Sequence, residues 1–155
     1  MALDVLYQRI ILDHFKNPRN FGKLDISATA ARQENPSCGD QISLQIVIDA
    51  QQRIPQIKFH GRGCAVSQAS ASMMTEWVQG KTVSEARDAI ASFLNVFAGE
   101  GKVQVDLGDL QALAGVKEFP VRVKCATLAW KALESCLATE TANPNHAEKC
   151  ESASE

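Results

Sequence analysis

Residues 42–60, ISLQIVIDAQQRIPQIKFH, decide the fold. Apolar residues occupy every second position from Ile42 to Ile48, which is the period of a strand with one buried face. The polar stretch at 50–53 is typical of a hairpin turn, and residues 54–60 form a second predicted strand. Two neighbouring strands joined this tightly are antiparallel.

Helical patterns flank this hairpin on both sides. Proline biases the preceding residue away from the helical region, so the first helix should end before Asn17-Pro18. Thr82 followed by Glu85 is a capping box, which marks the start of a helix. Residues 28–33 give a weaker strand pattern. We predict helices near 3–15, 64–78, 82–93 and 121–137, with one helical turn at 109–114.

These elements predict a single α+β domain over residues 1–138. In it, a small antiparallel sheet of about three strands packs against helices. Residues 139–155 are rich in Ala, Glu, Ser, Asn and Thr, and we interpret them as a polar, disordered C-terminal tail.

Composition argues against several classes of partner. The net charge is -2, which does not suggest nucleic acid or an acidic membrane surface as a partner. No apolar run approaches the roughly 20 residues of a membrane span, and no glycine-rich phosphate loop occurs. The start, Met1-Ala2-Leu3-Asp4, lacks the basic and apolar regions of a signal peptide, so we expect a cytoplasmic protein.

Five cysteines are the strongest chemical feature. An odd number in a cytoplasmic chain argues against a disulfide framework and favours metal binding or thiol chemistry. Cys38, Cys64 and Cys125 each lie where regular structure begins or ends. Cys136 lies about 16 Å from Cys125 along the same predicted helix, so the two cannot bind one metal ion. We interpret Cys136 as a core residue. Cys150 belongs to the polar tail.

The surroundings of two cysteines suit a reactive or ligating thiolate. Cys38 and Asp40 are two apart in an extended segment and can face a common point, with Gly39 allowing a bend. A turn residue is the alternative for Asp40. Cys64 precedes a predicted helix, whose positive N-terminal end favours the thiolate. A buried cysteine at a tight turn is the alternative there.

Zinc commonly takes four ligands from Cys, His, Asp and Glu side chains. The three cysteines and Asp40 complete such a set. His14 and His60 are rival fourth ligands, although His14 lies on the apolar side of the first helix and fits a core histidine better. Spacing alone does not decide between these sets.

Three motifs carry a family resemblance. They are NPSCGD at 35–40, GRGCAVSQAS at 61–70 and RVKCATLAW at 122–130. With them the chain resembles the NifU/IscU-like iron–sulfur cluster scaffold proteins, from the first helix to about residue 137. IscU-type members have a histidine where this chain has Lys124, and the Phe93–Gly115 stretch is similar to an insertion of the SufU type. Both features point to that type.

The resemblance implies zinc held by Cys38, Asp40, Cys64 and Cys125. It implies a sulfurtransferase-type role, in which the chain accepts sulfur from a PLP-dependent, SufS-like cysteine desulfurase. The sulfur then passes to a downstream iron–sulfur scaffold or an apo-protein. The implied acceptor is Cys38, with Cys125 as the runner-up.

Two cations flank the third cysteine. We hypothesise that Arg122, Lys124 or both hydrogen-bond a ligand and tune its nucleophilicity; a solvated cation at the helix start is the alternative.

Two further functions compete with sulfur transfer. The same ligands can hold iron or a nascent [2Fe–2S] cluster, or a purely structural zinc can support an interaction module. A hydrolase is not favoured because no general base is evident near the ligands.

Overall fold

A computed structural model describes residues 5–24, 28–35, 39–98, 110, 112–113, 115–116 and 119–142. The elements follow one another as α1 (Val5–Lys16), β1 (Thr29–Asn35), β2 (Asp40–Val47), β3 (Gln56–Arg62), α2 (Ala65–Val78), α3 (Val83–Ala98) and α4 (Pro120–Ala142). The α+β class and the order of elements are as the sequence predicted. The described residues of the predicted turn at 109–114 are in 3₁₀ conformation.

The three strands form one antiparallel sheet in the order β1-β2-β3. Leu44 at its centre pairs with Ala31 on one side and Phe59 on the other. Burial alternates along β2, and its buried face begins at Asp40 and continues through Ile42 and Leu44. The register that forms the core therefore also turns the Asp40 carboxylate inward.

Two strand boundaries differ from the sequence prediction. The backbone of Ile54 pairs outside the sheet, with Lys81 O at 2.9 Å and Gly80 N at 2.7 Å, so β3 begins at Gln56 instead. The weaker pattern at 28–33 is a true strand that continues to Asn35. Long-range pairing, which local alternation does not report, sets both boundaries.

The helices pack together through one buried aromatic side chain. Trp130 of α4 stacks on Phe93 of α3, with ring centroids 4.4 Å apart and planes 13° apart. Its indole Nε1 donates a hydrogen bond to Ser70 Oγ of α2 at 3.2 Å. α4 also packs on β1 and β2. Trp130 thus fixes the position of α4 relative to α2 and α3.

Two predicted core residues are confirmed. His14 Nδ1 lies 2.7 Å from Ser72 Oγ between α1 and α2, and Cys136 is fully buried. α4 runs to Ala142, four residues beyond the predicted domain end at 138, because the helical backbone continues into the polar segment. The rest of the predicted tail, including Cys150, lies outside the described residues. Among the described helices, none has the length and apolarity that crossing a membrane requires.

The capping box at the start of α3 generates a stability prediction. Glu85 N donates to Thr82 Oγ1 at 3.0 Å, and Thr82 N donates to Glu85 Oε1 at 2.9 Å. Thr82→Ala should lower the free energy of unfolding by about 1 kcal/mol, measured by urea titration. Ser84→Ala, at an exposed position of the same helix, is the matched control. Equal stabilities of the two variants would contradict the capping role.

The same cap makes this contribution depend on pH. The hydrogen bond from the Thr82 backbone lowers the pKa of Glu85 below its ordinary value of 4.5. A depressed carboxyl pKa stabilises the folded state above the unfolded pKa and loses that effect as the pH falls through the folded pKa. The difference between wild type and Glu85→Ala should therefore shrink below about pH 4, because only the wild type has the carboxylate that is protonated there.

Candidate metal centre

Three predicted ligands converge at one end of the sheet. Asp40 begins β2, Cys64 precedes α2 and Cys125 lies in the second turn of α4. One ligand atom from each lies within 4.8 Å of the other two. Asp40 and Cys125 are buried at 1% and 0% exposure, whereas Cys64 is partly exposed. Segments far apart in sequence thus bring two sulfurs and a carboxylate to one point.

Strand pairing and one backbone hydrogen bond position Asp40. Gln41 pairs with Arg62, so the chain leaves β3 directly beside the Asp40 side chain. The backbone N–H of Cys64 donates to Asp40 Oδ1 at 3.1 Å, and Cys64 Sγ lies 3.8 Å from Oδ2. One carboxylate oxygen is therefore held by the backbone while the other faces the sulfur.

Gly63 makes this close approach possible. A Cβ built at position 63 would lie 2.5 Å from Asp40 Oδ1 and 2.6 Å from Ser67 Oγ. Its φ of +155° is also one that residues with side chains rarely adopt. No side chain fits between the end of β3 and the Asp40 carboxylate.

Cys64 lies at the N-terminus of α2. Its backbone is extended, with φ −74° and ψ 170°, and Gln68 N donates the first helical hydrogen bond to Cys64 O at 3.1 Å. Ser67 Oγ donates to the same carbonyl at 3.1 Å and lies 4.0 Å from Cys64 Sγ. The Cys64 sulfur therefore lies at the positive end of the helix dipole, beside the Ser67 hydroxyl.

Cys125 has the opposite environment. Burial raises the pKa of its thiol, and contacts with Asp40 and Cys64 raise it further. Two thiolates and a carboxylate this close repel one another, so the group has to be neutralised by protons or by a cation. A divalent metal ion would remove both the repulsion and the need for protons.

Arg122 is the neighbouring cation that contacts the group. The pKa of the Arg122 guanidinium is raised, mainly by the negative charge of the nearby Cys64 thiolate. Hydrogen bonds with Cys64 and Cys125 raise this pKa further. Arg122 is exposed, so its charge lies on the open side of the site. Lys124, the other predicted tuning residue, is exposed two positions further along α4.

The rival histidines lie in other environments and are not part of the described ligand cluster. His14 is buried at the α1–α2 interface, where its Nε2 lies 3.8 Å from Glu76 Oε1. His60 pairs with Ser43 in the sheet, and burial together with the charge of Lys23 lowers its pKa.

Cys38 lies outside the described residues, but the chain on either side of it is placed. Gly39 N donates to Asn35 O at 2.8 Å, and Asn35 pairs with Asp40 across the strands. The described residues on either side of the gap, Asn35 and Gly39, therefore both lie beside Asp40. Cys38 as a ligand or acceptor stays a prediction.

Three further residues support the ligands: Asn35, Gly63 and Ser67. The close backbone approach at Gly63 was predictable from its residue type, whereas sequence reasoning missed Asn35 and Ser67. Asn35 Nδ2 donates to Cys125 Sγ at 4.0 Å. Gly63 has no side chain that would collide with the Asp40 carboxylate, and Ser67 Oγ contacts Cys64 Sγ. All three lie inside the quoted motifs, so motif membership was the available signal. Only the fold shows which ligand each of them contacts.

A candidate metal-binding site of two thiols and a carboxylate, at the end of a three-stranded sheet covered by helices, defines a class of sulfur-rich metal-binding α+β proteins. The family model described as NifU-like N terminal domain matches residues 6–138. The chain belongs to this family.

Several relatives agree with this assignment. The zinc-dependent sulfurtransferase SufU of Bacillus subtilis is 47% identical over 139 residues, covering 89% of this chain and 93% of the relative. The iron–sulfur cluster assembly scaffold protein IscU of Streptococcus pyogenes is 43% identical over 93% of this chain and 89% of its own length. A crystal structure of SufU from Fervidobacterium islandicum superimposes with a TM-score of 0.78 at 36% identity, covering 83% of this chain and 93% of that one.

The Gly63 geometry generates a prediction about metal binding. In Gly63→Ala the new methyl group collides with Asp40 and Ser67, so zinc affinity should fall at least about tenfold, measured by competition with a chromophoric chelator. Gly80→Ala is the matched control, since Gly80 has a φ of +86° but nothing within 4 Å of a built Cβ. If both variants lose affinity equally, the collision with Asp40 is not the cause.

Proposed function

We propose that this chain accepts persulfide sulfur from a cysteine desulfurase and passes it on for iron–sulfur cluster assembly. Zinc would be held by Cys38, Asp40, Cys64 and Cys125. The observation that carries the proposal is the convergence of Asp40, Cys64 and Cys125 within 4.8 Å. The 47% identity to a zinc-dependent sulfurtransferase supports it. We also infer a cytoplasmic location and a SufS-like, PLP-dependent donor.

The donor chemistry of the site fits zinc. Thiolates suit zinc, and a carboxylate oxygen completes a tetrahedral set. The acidic, crowded group also gains from a divalent ion, since Cys125 is buried beside Cys64 and Asp40. Bound zinc would keep the thiols deprotonated at neutral pH. Arg122 then balances part of the remaining negative charge.

The transfer step is a thiolate attack on a persulfide. The acceptor thiolate attacks the terminal sulfur of the desulfurase persulfide, and a new S–S bond forms on this chain. The S–S bond of the donor breaks, and the desulfurase cysteine leaves as a thiolate. No external oxidant or reductant is needed. A thiolate of the downstream scaffold or apo-protein can take the sulfur in the same way.

Cys38 suits the acceptor role better than Cys64 or Cys125. Cys125 is fully buried, and the backbone of Cys64 is tied to Asp40 and to the first turn of α2. The neighbour of Cys38, Gly39, is exposed, with a φ of +74° and nothing within 4 Å of a built Cβ. The position next to Cys38 is therefore accessible to a protein partner.

Mapping the persulfide tests the proposal. After incubation with a cysteine desulfurase and free cysteine, mass spectrometry should find the added sulfur on Cys38. Cys38→Ser should stay folded and lose sulfur uptake, whereas Cys150→Ser, in the predicted tail, should react as wild type. Uptake that is unchanged in Cys38→Ser would refute the acceptor assignment. Unfolding of Cys38→Ser would favour the structural zinc module instead.

The cluster scaffold is the second candidate because the Streptococcus pyogenes relative is described as one. Cysteine ligands hold [2Fe–2S] clusters as well as zinc. Metal analysis and a visible absorption spectrum of anaerobically purified protein separate the two. Stoichiometric zinc without visible absorption supports sulfur transfer, and iron with cluster absorption supports the scaffold.

The contacts of Arg122 generate a prediction about how strongly this chain stimulates the turnover of a cysteine desulfurase. Arg122→Ala should reduce stimulation of the desulfurase by about tenfold, because the thiolates lose the cation that contacts them. Lys124→Ala, on the same helix end, should have a smaller effect. Unchanged stimulation in both variants would remove the tuning hypothesis.

A further inference from the structure

Asn35 contacts two of the three ligand-bearing segments. It is the last residue of β1, is 5% exposed, and pairs with Asp40. Its backbone carbonyl accepts a hydrogen bond from Gly39 N at 2.8 Å. Its side-chain Nδ2 donates to Cys125 Sγ at 4.0 Å. One buried residue therefore contacts Gly39, the sequence neighbour of Cys38, through its backbone and Cys125 through its side chain.

We propose that Asn35 is a positioning residue whose amide hydrogen-bonds the Cys125 thiolate and keeps Cys125 as a fixed metal ligand. The persulfide sulfur is then accepted by another cysteine. The inference rests on the proposed function and deepens it. It assigns different roles to Cys38 and Cys125, which the sequence analysis left as rival sulfur acceptors.

The chemistry of the amide suits this role. An N–H group that donates to a thiolate forms a charge-assisted hydrogen bond and withdraws electron density from the sulfur. The sulfur becomes a weaker nucleophile and its lone pairs are oriented. A carboxamide donates this bond without gaining or losing a proton, so it cannot neutralise the thiolate by protonating it. Ligands of metal ions commonly need such supporting hydrogen bonds.

Burial points the same way. Cys125 is 0% exposed, so the part of the chain that the structure describes hinders direct attack of its sulfur on a protein-bound persulfide. The Asn35 amide is buried with it and is available at every stage of the transfer. The backbone and side-chain contacts of Asn35 are chemically separate, so a side-chain substitution tests the sulfur contact and spares the Gly39 hydrogen bond.

Cobalt provides a test that needs no desulfurase. Co²⁺ replaces zinc in thiolate sites and gives a sulfur-to-metal charge-transfer band. In Asn35→Leu this band should move to lower energy, because the sulfur lone pair loses its hydrogen bond. Affinity for Co²⁺ should fall about 10- to 100-fold. Gln33→Leu is the matched control on the same strand, since Gln33 pairs with Ile42 and not with Asp40.

Sulfur mapping gives a second readout. With a desulfurase and free cysteine, Asn35→Leu should carry part of its persulfide on Cys125, whereas wild type should carry none there. A folded Asn35→Leu with wild-type cobalt affinity and spectrum would overturn the proposal. If Asn35→Leu does not fold, Asn35→Ala replaces it; if that variant also fails to fold, Asn35 is a structural residue and the proposal is wrong. A wild-type chain that takes up no sulfur would refute the proposed function, and the cobalt comparison would still decide the role of Asn35.

Discussion

The structure depends on holding negative groups close together in a buried place. Asp40, Cys64 and Cys125 approach within 4.8 Å, and two of them are almost wholly excluded from water. Such a group repels itself unless protons or a cation neutralise it. The surrounding structure supplies partial compensation through the N–H of Cys64, the N-terminus of α2 and the guanidinium of Arg122. The arrangement is one that a divalent cation would complete.

The core and the site are specified by the same packing. Asp40 occupies the first position of the buried face of β2, so a one-residue slip in the sheet would turn its carboxylate to solvent. Trp130 holds α4 against α2 and α3, which fixes Cys125 about one and a half turns away on the same helix. Mutations that loosen this packing should therefore act on metal binding as well as on stability.

Local patterns predicted most of the elements. The alternation in β2, Pro18 after the first helix and the capping box at Thr82 each have a physical cause within a few residues. The boundaries at Ile54 and Asn35 depend on partners far away in sequence, and the extension of α4 to Ala142 had no apolar pattern to mark it. The ligands were predicted from residue type and motif, whereas the supporting roles of Asn35, Gly63 and Ser67 require the fold.

X-ray absorption at the zinc edge tests the shared centre most directly. The zinc-loaded wild-type protein should show three sulfur neighbours at about 2.3 Å and one oxygen neighbour at about 2.0–2.2 Å. That shell would place Cys38 beside the ligands from the other two segments. A shell with fewer than three sulfurs, or outer-shell scattering from the imidazole ring of a histidine ligand, would contradict the proposed ligand set and the mechanism that follows from it.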